Sequence, residues 1–173
     1  MSPLRVVLSL LAGLAVAGLL SACGRSDAFP SAATPGKAVQ ALDLAGLPSD
    51  LLGLAVKKED VAEPVSKVPA TFIDGLALYS LRHNELVQAT LQVTRFNHSA
   101  DVGSEKFRLS VVNQIGSSTP RPFRLGGRTV YLTTGTKQSI AVWFSGRYML
   151  LLASRADYDE PRTLLRKALE LQP

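Results

Sequence analysis

Between Leu86 and Phe96 the chain alternates strictly: Val87, Ala89, Leu91 and Val93 are apolar, while Gln88, Thr90, Gln92 and Thr94 between them are polar. Successive side chains of a strand point to opposite faces, so this stretch reads as a strand with one dry face and one wet face. Such half-dry strands belong to antiparallel sheets, since strands of a parallel sheet are buried on both sides. The same period runs through residues 72–82. His83, Asn84 and Glu85 lie between the two runs, and asparagine tolerates the positive φ of a tight turn. The pair is therefore expected to form a hairpin.

The remaining elements follow from the same pattern. Asp101 and Ser104 are each able to cap a helix, on which Phe107, Val111, Val112 and Ile115 share a stripe and which Gly116 ends. Three close-set strands are expected at residues 129–134, 138–144 and 147–154, turned at Gly135 and at Ser145-Gly146. The run at residues 149–153 is apolar on both sides, as in a central strand. A last helix is capped by Asp159 or Glu160, carries Pro161 in its first turn, and builds a stripe from Leu164, Leu165, Ala168, Leu169 and Leu171. Arg162, Arg166 and Lys167 take its wet side. The expected fold class is α+β: a twisted antiparallel sheet of about five strands (hairpin, helix, three-strand meander, C-terminal helix) with the helices packed on one face. In element order it resembles the PsbP/Mog1-like fold found among some actinobacterial lipoproteins. The resemblance is one of order alone, so no residue is carried over from it.

The N-terminus carries a different signal. Arg5 is followed by an uncharged apolar run, then by Leu20-Ser21-Ala22-Cys23, which gives the three-part shape of a secretory signal peptide. The run is at the short end of what spans a bilayer, where about 20 residues are usual, and no basic stop-transfer cluster follows it. These four residues resemble the lipobox of bacterial lipoproteins, an apolar residue and two small ones before an invariant cysteine. The resemblance implies cleavage before Cys23, diacylation of its thiol and a protein moored to the cell membrane on the extracytoplasmic face. Cys23 is the only cysteine. Left free outside the cytoplasm it would be an unpaired thiol in an oxidising compartment, and acylation removes that difficulty.

Residues 1–22 are thus expected as a cleaved signal peptide, 23–49 as the lipidated cysteine with a Pro- and Gly-punctuated spacer, and 50–173 as one domain. Residues 61–70, interrupted by Pro64 and Pro69, read as an extended connection. With 46% hydrophobic and 19% charged residues the chain is globular, and with no second cysteine its stability rests on a packed core. The net charge of +5 is mild, and an exported protein does not meet nucleic acid.

Few residues suggest chemistry. His83 and His98 sit in a turn and a loop, with no second thiolate and no His-x-x-x-His pair, so neither a metal nor another cofactor is expected. Asn97-His98-Ser99 matches a glycosylation acceptor, a pattern common by chance. Gly116-Ser117-Ser118 is not a nucleophile elbow, and Leu125-Gly126-Gly127-Arg128 lacks the ending of a phosphate loop. Asp157, Asp159 and Glu160 complement a helix dipole. What remains is a basic set, Arg121, Arg124, Arg128, Lys137 and Arg147, which would grip phosphate or carboxylate if brought together. An anionic lipid headgroup or an acidic protein face would be its partner. The expectation is a non-catalytic binding or protein-interaction module. Carriage of an apolar ligand between sheet and helix is the alternative, and an envelope hydrolase the third.

Overall fold

A computed structural model of the chain describes residues 39–44, 46–60 and 68–173, so the leader, Cys23 and most of the expected spacer lie outside the described residues, as does most of the connection at 61–70. In chain order the elements are β1 (Gln40–Ala41), β2 (Asp50–Leu51), β3 (Leu54–Glu59), β4 (Ile73–His83), β5 (Leu86–Phe96), α1 (Glu105–Val112), β6 (Arg121–Leu125), β7 (Arg128–Gly135), β8 (Gln138–Ser145), β9 (Tyr148–Arg155) and α2 (Pro161–Glu170). All strands share one sheet in the order β2-β3-β4-β5-β9-β8-β7-β6, with β1 beside β4. Every pair is antiparallel except β1 with β4. No helix among the described residues is long and apolar enough to cross a membrane.

The hairpin forms where the alternation places it. His83 pairs with Leu86, and both turn residues take positive φ, Asn84 at 45° and Glu85 at 65°. That geometry matches the right-handed twist of the flanking strands. The β7–β8 turn falls one step beyond Gly135, on Thr136 and Lys137, because Gly135 still pairs with Gln138.

The architecture corrects the expected fold class. The sheet has nine strands rather than about five, the two helices are only eight and ten residues long, and the fold is largely β. Two of the additional strands have evident causes. β6 contains Pro122 and is followed by two glycines, which reads as loop; as the outermost strand it needs no donor on its free side, so the proline is tolerated. β3 carries Lys57, Lys58 and Glu59, which read as a solvated charge run, yet it pairs with β4 from Ala55 opposite Arg82 to Glu59 opposite Leu78.

The helices also lie on opposite faces instead of one. On β8 and β9, Ala141, Trp143, Leu150 and Leu152 pack with α2 through Leu164, Leu165, Ala168 and Leu169. Their sequence neighbours Ile140, Val142, Met149, Leu151 and Ala153 pack instead with α1 through Phe107, Val111 and Val112. The period-two pattern sends consecutive residues to opposite sides, and here both sides are dry. α1 is capped by Ser104, whose hydroxyl accepts from the Phe107 amide, and Phe107 stands edge-on to Phe96 at 5.5 Å and to Phe72 at 6.1 Å. α2 opens on Pro161, where the missing donor is harmless.

The folded body also takes in part of the stretch expected as spacer. β1 occupies the length of β4 that β3 leaves free, pairing Gln40 with Gly75 and Ala41 with Leu76. Leu42 then fills the space a side chain on Gly75 would need, and with Leu44 and Leu47 it packs on the α2 face. The Leu44 amide donates to the Tyr79 hydroxyl at 3.0 Å, and Lys58 meets Asp43 at 3.4 Å.

Candidate functional site

The two faces are not covered to the same extent. α2 has ten residues and is therefore about 15 Å long. It lies over β9 and the buried part of β8, and β1 with Leu42, Leu44 and Leu47 extends the cover toward β3 and β4. On the other side of α2, toward the β6 edge, the same face carries a groove of about 570 Å³. Phe123, Leu125, Leu132, Ala141 and Leu152 form its floor, and Pro161 and Leu165 of α2 its wall. Leu132 is 40% exposed, while Phe123 and Leu125 are half-buried. A second cavity of about 530 Å³ adjoins it along the edge, sharing Leu132 and Ser139.

Two guanidinium groups line this apolar groove, Arg162 and Arg166 from α2; Arg124 of β6 borders it, but it alternates with Phe123 and Leu125, which pack on the groove face, so its side chain leaves the strand on the opposite side. None has a carboxylate within ion-pair distance among the described residues, and the only partner recorded for the three is the Gly127 carbonyl, which accepts from Arg124 at 3.3 Å. No carboxylate lines the groove. Asp159 and Glu160, at the head of α2, line a different cavity of about 510 Å³ at the end of the sheet. Uncompensated cations above apolar surface suit an anion that carries apolar bulk, and arginine binds carboxylate and phosphate bidentately.

The structure distributes the sequence-derived basic set rather than gathering it. Arg121 lines the adjoining cavity and Arg124 borders the groove. Arg128 begins β7 opposite Leu125, half-buried. Lys137 sits in the β7–β8 turn, at the far end of those strands from Arg128. Arg147 is turned away: it donates to the Phe96 carbonyl at 3.3 Å and lies 4.0 Å from Asp74, which also takes Arg95 at 2.5 Å. Arg162 and Arg166, missed as ordinary wet-side charges, complete the site instead. One signal was available, because an arginine pair at i and i+4 repels itself along one stripe of a helix and so lowers its stability.

The end cavity holds more titratable groups but less free charge. It is lined by His83, Leu86, Arg155, Asp157 and Tyr158, among others. Arg155 grips Asp157 through two bonds of 2.8 and 2.6 Å, which holds the Asp157 carboxyl below its ordinary range. Burial, with Glu160 and Asp159 nearby, pushes the Tyr158 hydroxyl up. The cation there already has its anion. His98 is exposed at the opposite end of β5 from His83, so the two histidines do not meet. Among the described residues no group of three His, Cys, Asp or Glu side chains is placed to hold a metal ion.

No family model, no curated protein and no solved structure matches the chain.

Proposed function

We propose that this protein is a cell-envelope lipoprotein, moored through acylated Cys23 on the extracytoplasmic face of a membrane, whose folded body binds an anionic partner in the groove between α2 and the β6 edge without catalysing a reaction. The observation that carries the binding half is the pair Arg162 and Arg166, neither with a carboxylate at ion-pair distance among the described residues, beside an apolar floor with no carboxylate in it. The mooring half rests on the likeness of Leu20-Ser21-Ala22-Cys23 to a lipobox. Two or three acyl chains suffice to hold a protein of this size, since each buried methylene contributes about 0.8 kcal/mol.

Each half has its own test. Mass analysis of protein from its native host is expected to find Cys23 as an acylated first residue; an unmodified thiol or a retained leader overturns the mooring. For the groove, a photo-crosslinking side chain at Leu132 is expected to capture a partner in the native host, whereas the same group at exposed Asn113, beyond α1, does not. Arg162→Glu with Arg166→Glu removes the adduct. Equal capture at both positions, or capture that survives the double substitution, overturns the groove as the binding surface.

A further inference from the structure

Resting on that reading of the groove, we infer that its ligand is a single-chain amphiphile with an anionic head, the chain lying on the strip around Leu132 and the head held by Arg162 and Arg166.

The shape of the floor argues for a chain rather than a broader body. From β9 to β6 the groove crosses three interstrand spacings, roughly 14 Å. The adjoining cavity extends it past Leu132 along the edge. On this floor Leu132 alone is an exposed large hydrophobic residue. The uncovered apolar surface is therefore a strip about one side chain wide. An amphipathic helix, about 10–12 Å across with its side chains, would need a wider dry shelf. A free inorganic anion would leave the strip wet. The volume falls within the range of about 300–1,000 Å³ usual for small-ligand sites.

The charge argues for the head. Arg162 and Arg166 are one turn apart on α2, about 6 Å along its axis, and both line the groove. Two donor forks on one stripe of α2 outnumber the single charge of a carboxylate. They match better the −1.5 to −2 charge and three acceptor oxygens typical of a phosphate monoester at about pH 7. A phosphate-headed chain should therefore outcompete a carboxylate-headed one of the same length.

The chain's single tryptophan supplies the readout. Trp143 is fully buried in the core beneath α2, two residues along β8 from Ala141 on the groove floor, hence about 7 Å away. A bromine atom on a bound chain quenches tryptophan at such range. The full chain with Cys23→Ser, which cannot be acylated, is titrated with 9,10-dibromostearate. Saturable quenching is expected, displaced by dodecyl phosphate more effectively than by dodecanoate, and not by inorganic phosphate or dodecanol. Arg162→Glu with Arg166→Glu weakens the binding by about tenfold or more, the loss of charge-assisted bonds to one head. Both side chains are exposed, and a glutamate at position 162 suits the first turn of α2, so an unchanged thermal midpoint separates lost binding from lost folding. Absent quenching, quenching indifferent to the two arginines, or displacement by inorganic phosphate equal to that by dodecyl phosphate overturns the inference. If a polypeptide crosslinks at Leu132 in an arginine-dependent way while dibromostearate does not bind, the amphiphile is wrong and the anion-binding groove stands. If neither binds, both fall.

Discussion

Over β7, β8 and β9, the side facing α1 is closed by Phe107, Val111 and Val112, while the side facing α2 stops at Leu165 and leaves Leu132 40% exposed. The two helices are of similar length, so length does not explain the contrast. Around α1, Val68, Phe72, Ala100 and Val102 from the flanking segments add to the cover. Around α2 the added cover comes from Leu42, Leu44 and Leu47 on the N-terminal side and from Tyr158 and Leu171 at its own ends, while the β6 side offers only the half-buried Phe123 and Leu125. One face is thus core in the ordinary sense. The other is core at its centre and binding surface at its margin, at the place where the unpaired arginines stand.

The contrast can be broken or sharpened by substitution. The largest effect is expected from Phe107→Ala, which empties the closed face of a ring packed on two others and costs about 3–5 kcal/mol. Leu132→Ala on the open face should cost less than about 1 kcal/mol, because little burial is lost. Urea denaturation measures both, and equal losses would mean that the two faces are equally sealed. Next comes Gly116→Ala. The new methyl group would run into the Thr133 side chain, whose hydroxyl donates to the Ser118 carbonyl at 2.8 Å. A loss of about 1–3 kcal/mol is expected, since the added atom has no room and a partly buried bond is disturbed.

A smaller effect, of opposite sign, is expected at Gln92. Its side chain is buried, and while its amide donates to Thr94 at 3.0 Å, its oxygen has no partner. Gln92→Met removes the stranded acceptor at nearly constant volume, so stability should stay level or rise by about 1 kcal/mol. A clear loss in the same denaturation assay would show that this oxygen is satisfied in solution. The smallest effect concerns pH. The Ser80 hydroxyl and the Arg82 guanidinium donate to Glu59 and hold its carboxyl below the ordinary value of 4.5. A depressed carboxylate contributes stability that is complete above its unfolded value and lost as pH falls through the folded one. Acid titration of the thermal midpoint should therefore be shallower for Glu59→Gln than for the native chain; parallel curves would remove Glu59 from the account.

Much of the fold was legible because it is written in local periodicity: the β4–β5 hairpin, the β7–β9 meander and the amphipathic stripe of α2. β3 and β6 were not, since their charges and proline describe partly exposed positions whose strand state depends on a neighbour. The faces of the two helices could not be read either. An amphipathic stripe states that a helix is covered, not which side of the sheet covers it. The dry run at Met149–Ala153 was the one hint that both sides are occupied. For the site, Arg121 and Arg124 were visible as a basic loop, but their place beside a groove depends on β6 pairing at the edge. Arg162 and Arg166 looked like ordinary solvated charge, and only the three-dimensional path of α2 sets them beside the apolar floor.

The seam at the middle of the sheet has a consequence for how the protein comes into being. β5 meets β9 from Ala89 opposite Ser154 to Arg95 opposite Tyr148, so the centre is joined by a strand near the end of the chain. Until that strand has left the ribosome, the front portion ends on an unsatisfied border at β5 and the hairpins β6 to β8 on another at β8. Such borders invite foreign strands, and pairings between distant parts form slowly. The centre line of the sheet therefore closes only after both of its halves have been made, when β9 can pair with β5 on one side and β8 on the other.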